Sequence, residues 1–418
     1  MVSEIHLISK RDLTKHQTVA VDLALPQLAP SSIRTRSALI GITTNQLSYA
    51  KLGEYLGWWN VWPVPLDLPA PYNNRDEWGI VPAWGFARVV ESTIGTIPVG
   101  SLLYGYWPTS THPVDLKLEE AEPKGHYREV NEYRQAPGKI YNHYNLFDES
   151  TTSEEFRAWF AVVYSIWGGG YVLNRYTFPS EFKPVHPLGE GAGEWSDEDG
   201  DLSSALVVSL SASSKTGRSF TWNLARNRKP DHGPLAVLQA ASAPGSLPPA
   251  PKAGFEIKTV AYDDLVSQET LEWIVKLQPK RVVLVDFGGP SKVTEKFHDA
   301  ITSALSGSAT VTFLLVGGEP KISSPEETVA LMQTRQKWGM VQLNTTAAID
   351  AGKALEGPET FYKETEAAFE RSLEDNIVGD LELHWGDGVG GSNGVEKAWE
   401  DIIKGTLPRK KAFAYKLE

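Results

Sequence analysis

The stretch from Ala205 to Val316 alternates unbroken apolar runs with helical segments, and few folds accommodate that pattern. Ala205-Leu206-Val207-Val208-Ser209-Leu210 reads as a strand buried on both faces, followed by a polar turn and a helix from about Gly217 to Arg228. Leu235–Leu238 and Phe255–Val260 are further strands, the second leading into a helix over Gln268–Gln278. Arg281–Asp286, a helix over Lys292–Leu305 and Thr310–Val316 complete the series. A strand without polar alternation has no solvent face, so helices must cover both sides of its sheet. The pattern therefore predicts a Rossmann-type parallel sheet, an α/β domain spanning residues 151–335.

The flanking segments differ in texture. Residues 1–150 carry short strand-like runs, such as Ser37–Ile42 and Phe86–Glu91, broken by Pro and Gly, which suggests a distorted β-rich barrel. An aromatic loop, Trp58-Trp59-Asn60-Val61-Trp62-Pro63, lies between them; such rings line apolar pockets as readily as cores. Ser153-Glu154-Glu155 introduces a helix from Phe156 to Trp167, with Gly168-Gly169-Gly170 as its expected end. Gly189-x-Gly191-x-Gly193 has no strand before it and no helix after it, so it reads as a connector. Ser324-Pro325-Glu326-Glu327 is a capping box that starts another helix. Residues of about 340–418 complete the first domain, and the closing strand Lys411–Leu417 is expected to return to its sheet or to the edge of the parallel one.

Composition removes several function classes. The net charge is -12, and the one compact basic cluster is Arg409-Lys410-Lys411, so a nucleic-acid partner is not expected. No apolar run approaches the roughly 20 residues that span a bilayer, and Met1–His6 lacks the basic-then-apolar pattern of a secretory signal. There is no Cys, which excludes disulfides, thiolate nucleophiles and Cys-ligated zinc, and the nine His form no ligand motif. A cytoplasmic protein with no metal and a small-molecule substrate is the expectation.

The first strand-to-helix turn reads Ser211-Ala212-Ser213-Ser214-Lys215-Thr216-Gly217. At the carboxyl end of a first parallel strand, backbone amides and a helix N-terminus hold phosphate. Gly-x-Gly-x-x-Gly is absent, yet small serines permit close approach, and hydroxyls and the Lys215 ammonium can bond an anion. An ordinary capped turn, with Ser213 or Ser214 satisfying the helix, fits the same residues.

The order of these elements resembles the medium-chain dehydrogenase/reductase superfamily, in its zinc-free quinone-oxidoreductase and enoyl-reductase-like branch. It is similar in particular to a fungal and bacterial family whose turn reads Ser-Ala-Ser-Ser-Lys-Thr. Thr43–Gly53, Trp78–Ala87 and Val99–Tyr106 carry the likeness in the first domain, and Val285-Asp286-Phe287-Gly288-Gly289 with Val316-Gly317-Gly318 carry it in the second. The resemblance implies a GroES-like barrel beside the Rossmann-type domain. It implies NADPH held by Ser211, Ser213, Ser214, Lys215, Thr216, Gly217, Ser242, Phe287, Gly288, Val316 and Gly317. It places Asn45 and Tyr49 at the cleft wall, Tyr49 as proton donor, with Asn142, His143 and Tyr144 near the same cleft. It implies a two-fold homodimer paired through Thr310–Val316 as the sheet edge.

One departure matters. Where NADP-dependent relatives carry Thr-Ser-x-Arg-Asn after the second strand, this chain has Ala241-Ser242-Ala243-Pro244-Gly245, and no acidic residue stands there either. The 2′-phosphate grip is missing unless Lys252, Arg218 or another residue substitutes, and NADP and NAD stay open. The expected activity is reduction of a conjugated enone, quinone-like or carbonyl small molecule, in secondary metabolism among other settings. The alternative is a redox-inactive relative acting as a cyclase or isomerase on a natural-product intermediate, favoured by the missing Arg-Asn and the Trp-rich loop. A non-catalytic scaffold is a third reading.

Overall fold

The computed structural model describes residues 2–249 and 251–418. It divides into two compact units: Met1–Ser165 with Leu381–Glu418, and Ile166–Asp380.

The second unit is built on six strands: β1 (Ala205–Leu210), β2 (Ala236–Ala241), β3 (Glu256–Ala261), β4 (Arg281–Phe287), β5 (Thr310–Gly317) and β6 (Val341–Gln342). All pair in parallel, in the spatial order β3-β2-β1-β4-β5-β6. Every residue of β1 and β2 is buried, as their unbroken apolar runs require. Helices α1 (Lys215–Arg226), α2 (Gln268–Leu277), α3 (Ser291–Leu305) and α4 (Pro325–Lys337) punctuate the strands. Ser214, Ser267 and Ser324 accept backbone N–H groups at three of their N-termini. The chain order reverses between β1 and β4, which opens a crevice at their carboxyl ends. Among its described residues the β2-to-β3 connection holds a short 3-10 turn, Pro244–Ser246, and no α-helix.

Two expectations need correcting here. The Thr310 strand is not outermost, because β6 pairs with it at Leu314 and Leu315. The helical run does not stop at Gly168–Gly170 but continues through Ser165–Val172 and a π-helical turn, Leu173–Thr177. The glycines are there for packing. A Cβ on Gly170 would lie 2.6 Å from both the Phe220 nitrogen and the Thr216 oxygen, so only glycine lets this helix rest on α1.

In the first unit, Ser32–Ile42, Ala83–Ser92, Leu102–Trp107, His143–Phe147, His126–Glu129 and Val114–Ala121 pair in that circuit. Ser32–Ile42 also pairs with Val114–Ala121, which closes the barrel. The closing strand of the chain, Lys411–Lys416, joins Ser32–Ile42 antiparallel, with Phe413 opposite Ile42. Trp58, Trp59 and Trp62 are all buried in this unit's core, and the Trp62 indole donates to the Tyr106 carbonyl at 3.0 Å. The aromatic loop is core, not pocket wall.

A separate hairpin, Ser3–Ser9 with His16–Val21, buries His6 with its Nε2 3.2 Å from His16 Nδ1 and its ring against Trp399. Burial, with His16 adding repulsion, pulls the His6 pKa down to about 3. A histidine kept neutral contributes stability that is complete above its unfolded value of 6.5 and is lost as pH falls toward 3. His6→Phe is therefore expected to flatten the melting temperature between pH 6 and 4, a window where the parent chain loses on the order of 2 kcal/mol. Thermal scans across that range check it; an unchanged slope in the variant contradicts it.

Candidate functional site

The turn after β1 is set by backbone geometry before any ligand is considered. Ser211 has φ +56°, a left-handed conformation that glycine usually fills. Its carbonyl accepts the Ser214 amide at 2.9 Å, while the Ala212 amide donates across to the Ala240 carbonyl at 3.0 Å. Ser214 then caps α1, its Oγ accepting the Gly217 amide at 3.0 Å. Gly217 sits tight beneath the turn: a Cβ there would come within 3.0 Å of the Ser211 oxygen and of Ser214 Oγ.

The capped-turn reading is therefore realised, but it uses up only part of the donor set. The amides of Ser213, Lys215 and Thr216 make no hydrogen bond within the described residues. Lys215 forms no ion pair there either, since the nearby carboxylate of Asp380 is gripped by both terminal nitrogens of Arg218, one contact measuring 2.8 Å. Burial pulls the Lys215 pKa down to about 8, with Arg218 adding repulsion against the opposing pull of Asp380. Three amides without a partner among the described residues and the Lys215 ammonium thus stand together at a helix N-terminus, a combination of donors that can hold an anion.

Some expected contributors are committed elsewhere. Thr216 Oγ1 donates to the Ile166 carbonyl at 3.2 Å, so this hydroxyl serves packing. Arg218 does not substitute for a missing phosphate grip: besides Asp380, its Nε donates to the Ser213 carbonyl at 2.8 Å and a terminal nitrogen to the Ile377 carbonyl at 3.1 Å. The Phe287 side chain turns inward against Phe220, with ring centroids 5.6 Å apart. Ser242 is exposed just past the end of β2.

At the ends of β4 and β5 the backbones meet closely. A Cβ on Gly317 would lie 2.9 Å from the Phe287 oxygen, and one on Gly288 would lie 2.8 Å from the Gly318 oxygen. Val316 beside them is half-buried. Asp286 holds the turn after β4, its Oδ1 accepting the Gly288 and Gly289 amides at 2.9 and 2.7 Å. Burial pushes its pKa up to about 6 despite those two donors. Asp286→Ala is expected to cost about 2–3 kcal/mol through two orphaned buried amides. Asp286→Asn keeps an acceptor and sheds the buried charge, so its melting temperature at pH 8 should stay within a few degrees of the parent.

In the first unit Asn45 opens a short helix, Asn45–Lys51, and Tyr49 lies buried one turn on. Tyr49 Oη accepts the Trp84 indole N–H at 2.9 Å, with Asn45 and Tyr106 biasing the same oxygen. Burial holds this phenol far above its ordinary pKa, so it stays protonated. Its ring meets those of Trp58, Tyr106 and Tyr141 edge-on, at centroid distances of 4.8, 5.1 and 6.1 Å. Tyr144 and Asn142 are buried and His143 is half-buried with its Nε2 2.7 Å from His126 Nδ1, so all three are engaged in the barrel wall.

The family described as protein of unknown function (DUF2855) matches residues 40–408. The chain belongs to this family. No curated protein matches it in sequence. Among solved structures it is similar to the mitochondrial 2-enoyl thioester reductase Etr1p/Etr2p heterodimer from Candida tropicalis, at 11% identity and TM-score 0.55 over 100% of each chain. A Bacillus thuringiensis protein designated an NADPH:quinone reductase matches at 11% identity and TM-score 0.52, again over 100% of each chain. CurA from Vibrio vulnificus, in complex with NADPH, matches at 12% identity and TM-score 0.50 over 99% of each. At such identities the likeness is one of fold: this DUF2855 chain shares with those structures a parallel sheet unit and a closed barrel.

The same DUF2855 chain carries one glycine-rich signal that sequence reading passed over. Gly386-x-Gly388-x-x-Gly391 lies between the strand Glu382–Asp387 and the helix Val395–Lys404. Several of its amides are used internally: Gly390 donates to Glu4 Oε2 at 3.1 Å, Gly388 to the Lys416 carbonyl and Val395 to the Gly388 carbonyl. This loop is a structural tie. Among the described residues no group of three or more His, Asp or Glu could hold a metal ion, and no helix is long and apolar enough to cross a membrane.

Proposed function

We propose that this chain is an NADPH-dependent oxidoreductase that reduces a conjugated enone, quinone-like or carbonyl small molecule, with secondary metabolism as its setting. The observation that carries this reading is the Lys215 ammonium and three backbone amides, none with a partner among the described residues, at the point where the order of a parallel sheet reverses. That is where a dinucleotide's diphosphate is held in sheets of this kind. The donor set suits two phosphates: amides supply directional bonds, and Lys215 supplies charge. In this reading the nicotinamide end lies by the strand ends at Gly288 and Gly317, where the two backbones pack too closely to admit a Cβ.

When bound, the nicotinamide supplies a hydride. The chain's own part is to hold, orient and give a proton. Tyr49, kept protonated by burial, is the proton donor in this reading, and Asn45 and Trp84 fix its oxygen. The cyclase alternative loses one of its supports, because Trp58, Trp59 and Trp62 are packed in the core.

Loss of NADPH absorbance with an enal, an enone and a quinone as probe substrates tests the proposal. Turnover of at least one is expected; turnover that persists without any nicotinamide would favour the cyclase instead. Tyr49→Phe should lower kcat roughly 100-fold with the KM for NADPH little changed. A KM change alone would remove Tyr49 from the chemistry.

A further inference from the structure

We infer that the adenosine end of this site reads neither the 2′-phosphate nor the free ribose diol, so that the chain accepts NADPH and NADH with comparable affinity. The inference rests on the dinucleotide reading above and adds its specificity. Discrimination in such sheets is made at the carboxyl end of the second strand, by an acid on the diol or an arginine on the phosphate. Here that strand end continues as Ser242-Ala243-Pro244-Gly245, with neither.

The neighbouring charges do not make good the loss. Arg218 is held by Asp380 and two carbonyls, and Arg226 makes a two-point pair with Asp375 at 2.9 and 3.0 Å. The loop then leaves the strand end. Leu247, Pro248, Pro249 and Pro251 line a cavity of about 250 Å³ against Trp222 and Arg226, the latter in the last turn of α1. Lys252 follows Pro251 in the same loop and is exposed. Asp263 and Asp264 follow β3, one strand spacing, about 5 Å, farther from the reversal point.

The positions that would confer preference are open to side chains. Gly245 has φ outside the left-handed region and nothing within 4 Å of a built Cβ, and Ser242 is exposed. Gly245→Arg should therefore introduce a phosphate grip, and Ser242→Asp an acceptor for the diol.

The test is a titration of the parent chain and both variants with NADPH and NADH, followed by tryptophan emission. The parent is expected to bind the two within about threefold. Gly245→Arg should favour NADPH, and Ser242→Asp should favour NADH, each by about ten- to a hundredfold. A parent preference of a hundredfold or more for either cofactor overturns the inference and leaves the dinucleotide reading standing. Failure of a folded parent chain to bind either cofactor overturns both.

Discussion

Replacing Lys215 with methionine is expected to weaken NADPH binding by about ten- to a hundredfold, the worth of one charge-assisted contact. It should also abolish a pH dependence. In the free chain the Lys215 pKa is depressed to about 8. Its ammonium thus carries a penalty that is fully present below pH 8 and disappears above the ordinary value of 10.5. A bound diphosphate reverses that balance by supplying the missing countercharge. Affinity in the parent should therefore be highest below pH 8 and fall as pH rises and the proton is lost. In Lys215→Met the affinity should be low and flat from pH 7 to 9. Titrations at three pH values separate the two; a parallel decline in both would mean that some other group carries the effect.

Gly170→Ala should be a strongly damaging single methyl in the second unit. The added Cβ would meet backbone atoms of Thr216 and Phe220 at 2.6 Å, and backbone cannot move aside as a flexible side chain can. Overpacking of this kind costs about 3 kcal/mol. The helix it pushes is α1, whose first turn holds the amides of Lys215 and Thr216. NADPH affinity should fall with stability even though Gly170 touches no ligand. Gly168→Ala is the control. Nothing lies within 4 Å of a Cβ there, and alanine is favoured over glycine in a helix by up to about 1 kcal/mol. Its melting temperature should match or exceed the parent's. If both variants melt alike, the contact between these helices is not what the three glycines serve.

Those glycines also mark the limit of reading the chain as a sequence. Glycine is a poor helix former, so three in a row read as an end; the contact with α1 that outweighs propensity joins residues about fifty positions apart. The parallel sheet was legible because β1, β2 and β4 are buried on both faces, and their runs show it without help from partners. The barrel's closure by Ser32–Ile42 and Val114–Ala121 was not, since register between strands so far apart leaves no local trace. Nor was the two-residue β6 that displaces β5 from the sheet edge, or the helix Thr345–Glu356. At the candidate site, the serine turn and its lysine were visible from composition and position. The commitment of Arg218 to Asp380, 162 residues away, was not, and with Asp380 so engaged Lys215 forms no ion pair among the described residues.

The central claim is that the open amides of Ser213, Lys215 and Thr216, with the Lys215 ammonium, form a seat for a diphosphate. A crystal structure of the chain with NADPH tests it most directly. Diphosphate oxygens should lie within about 3 Å of at least two of those amides, with Lys215 Nζ on a phosphate oxygen. A cofactor bound with its diphosphate away from this turn, or a turn left empty at saturating NADPH, would contradict the account.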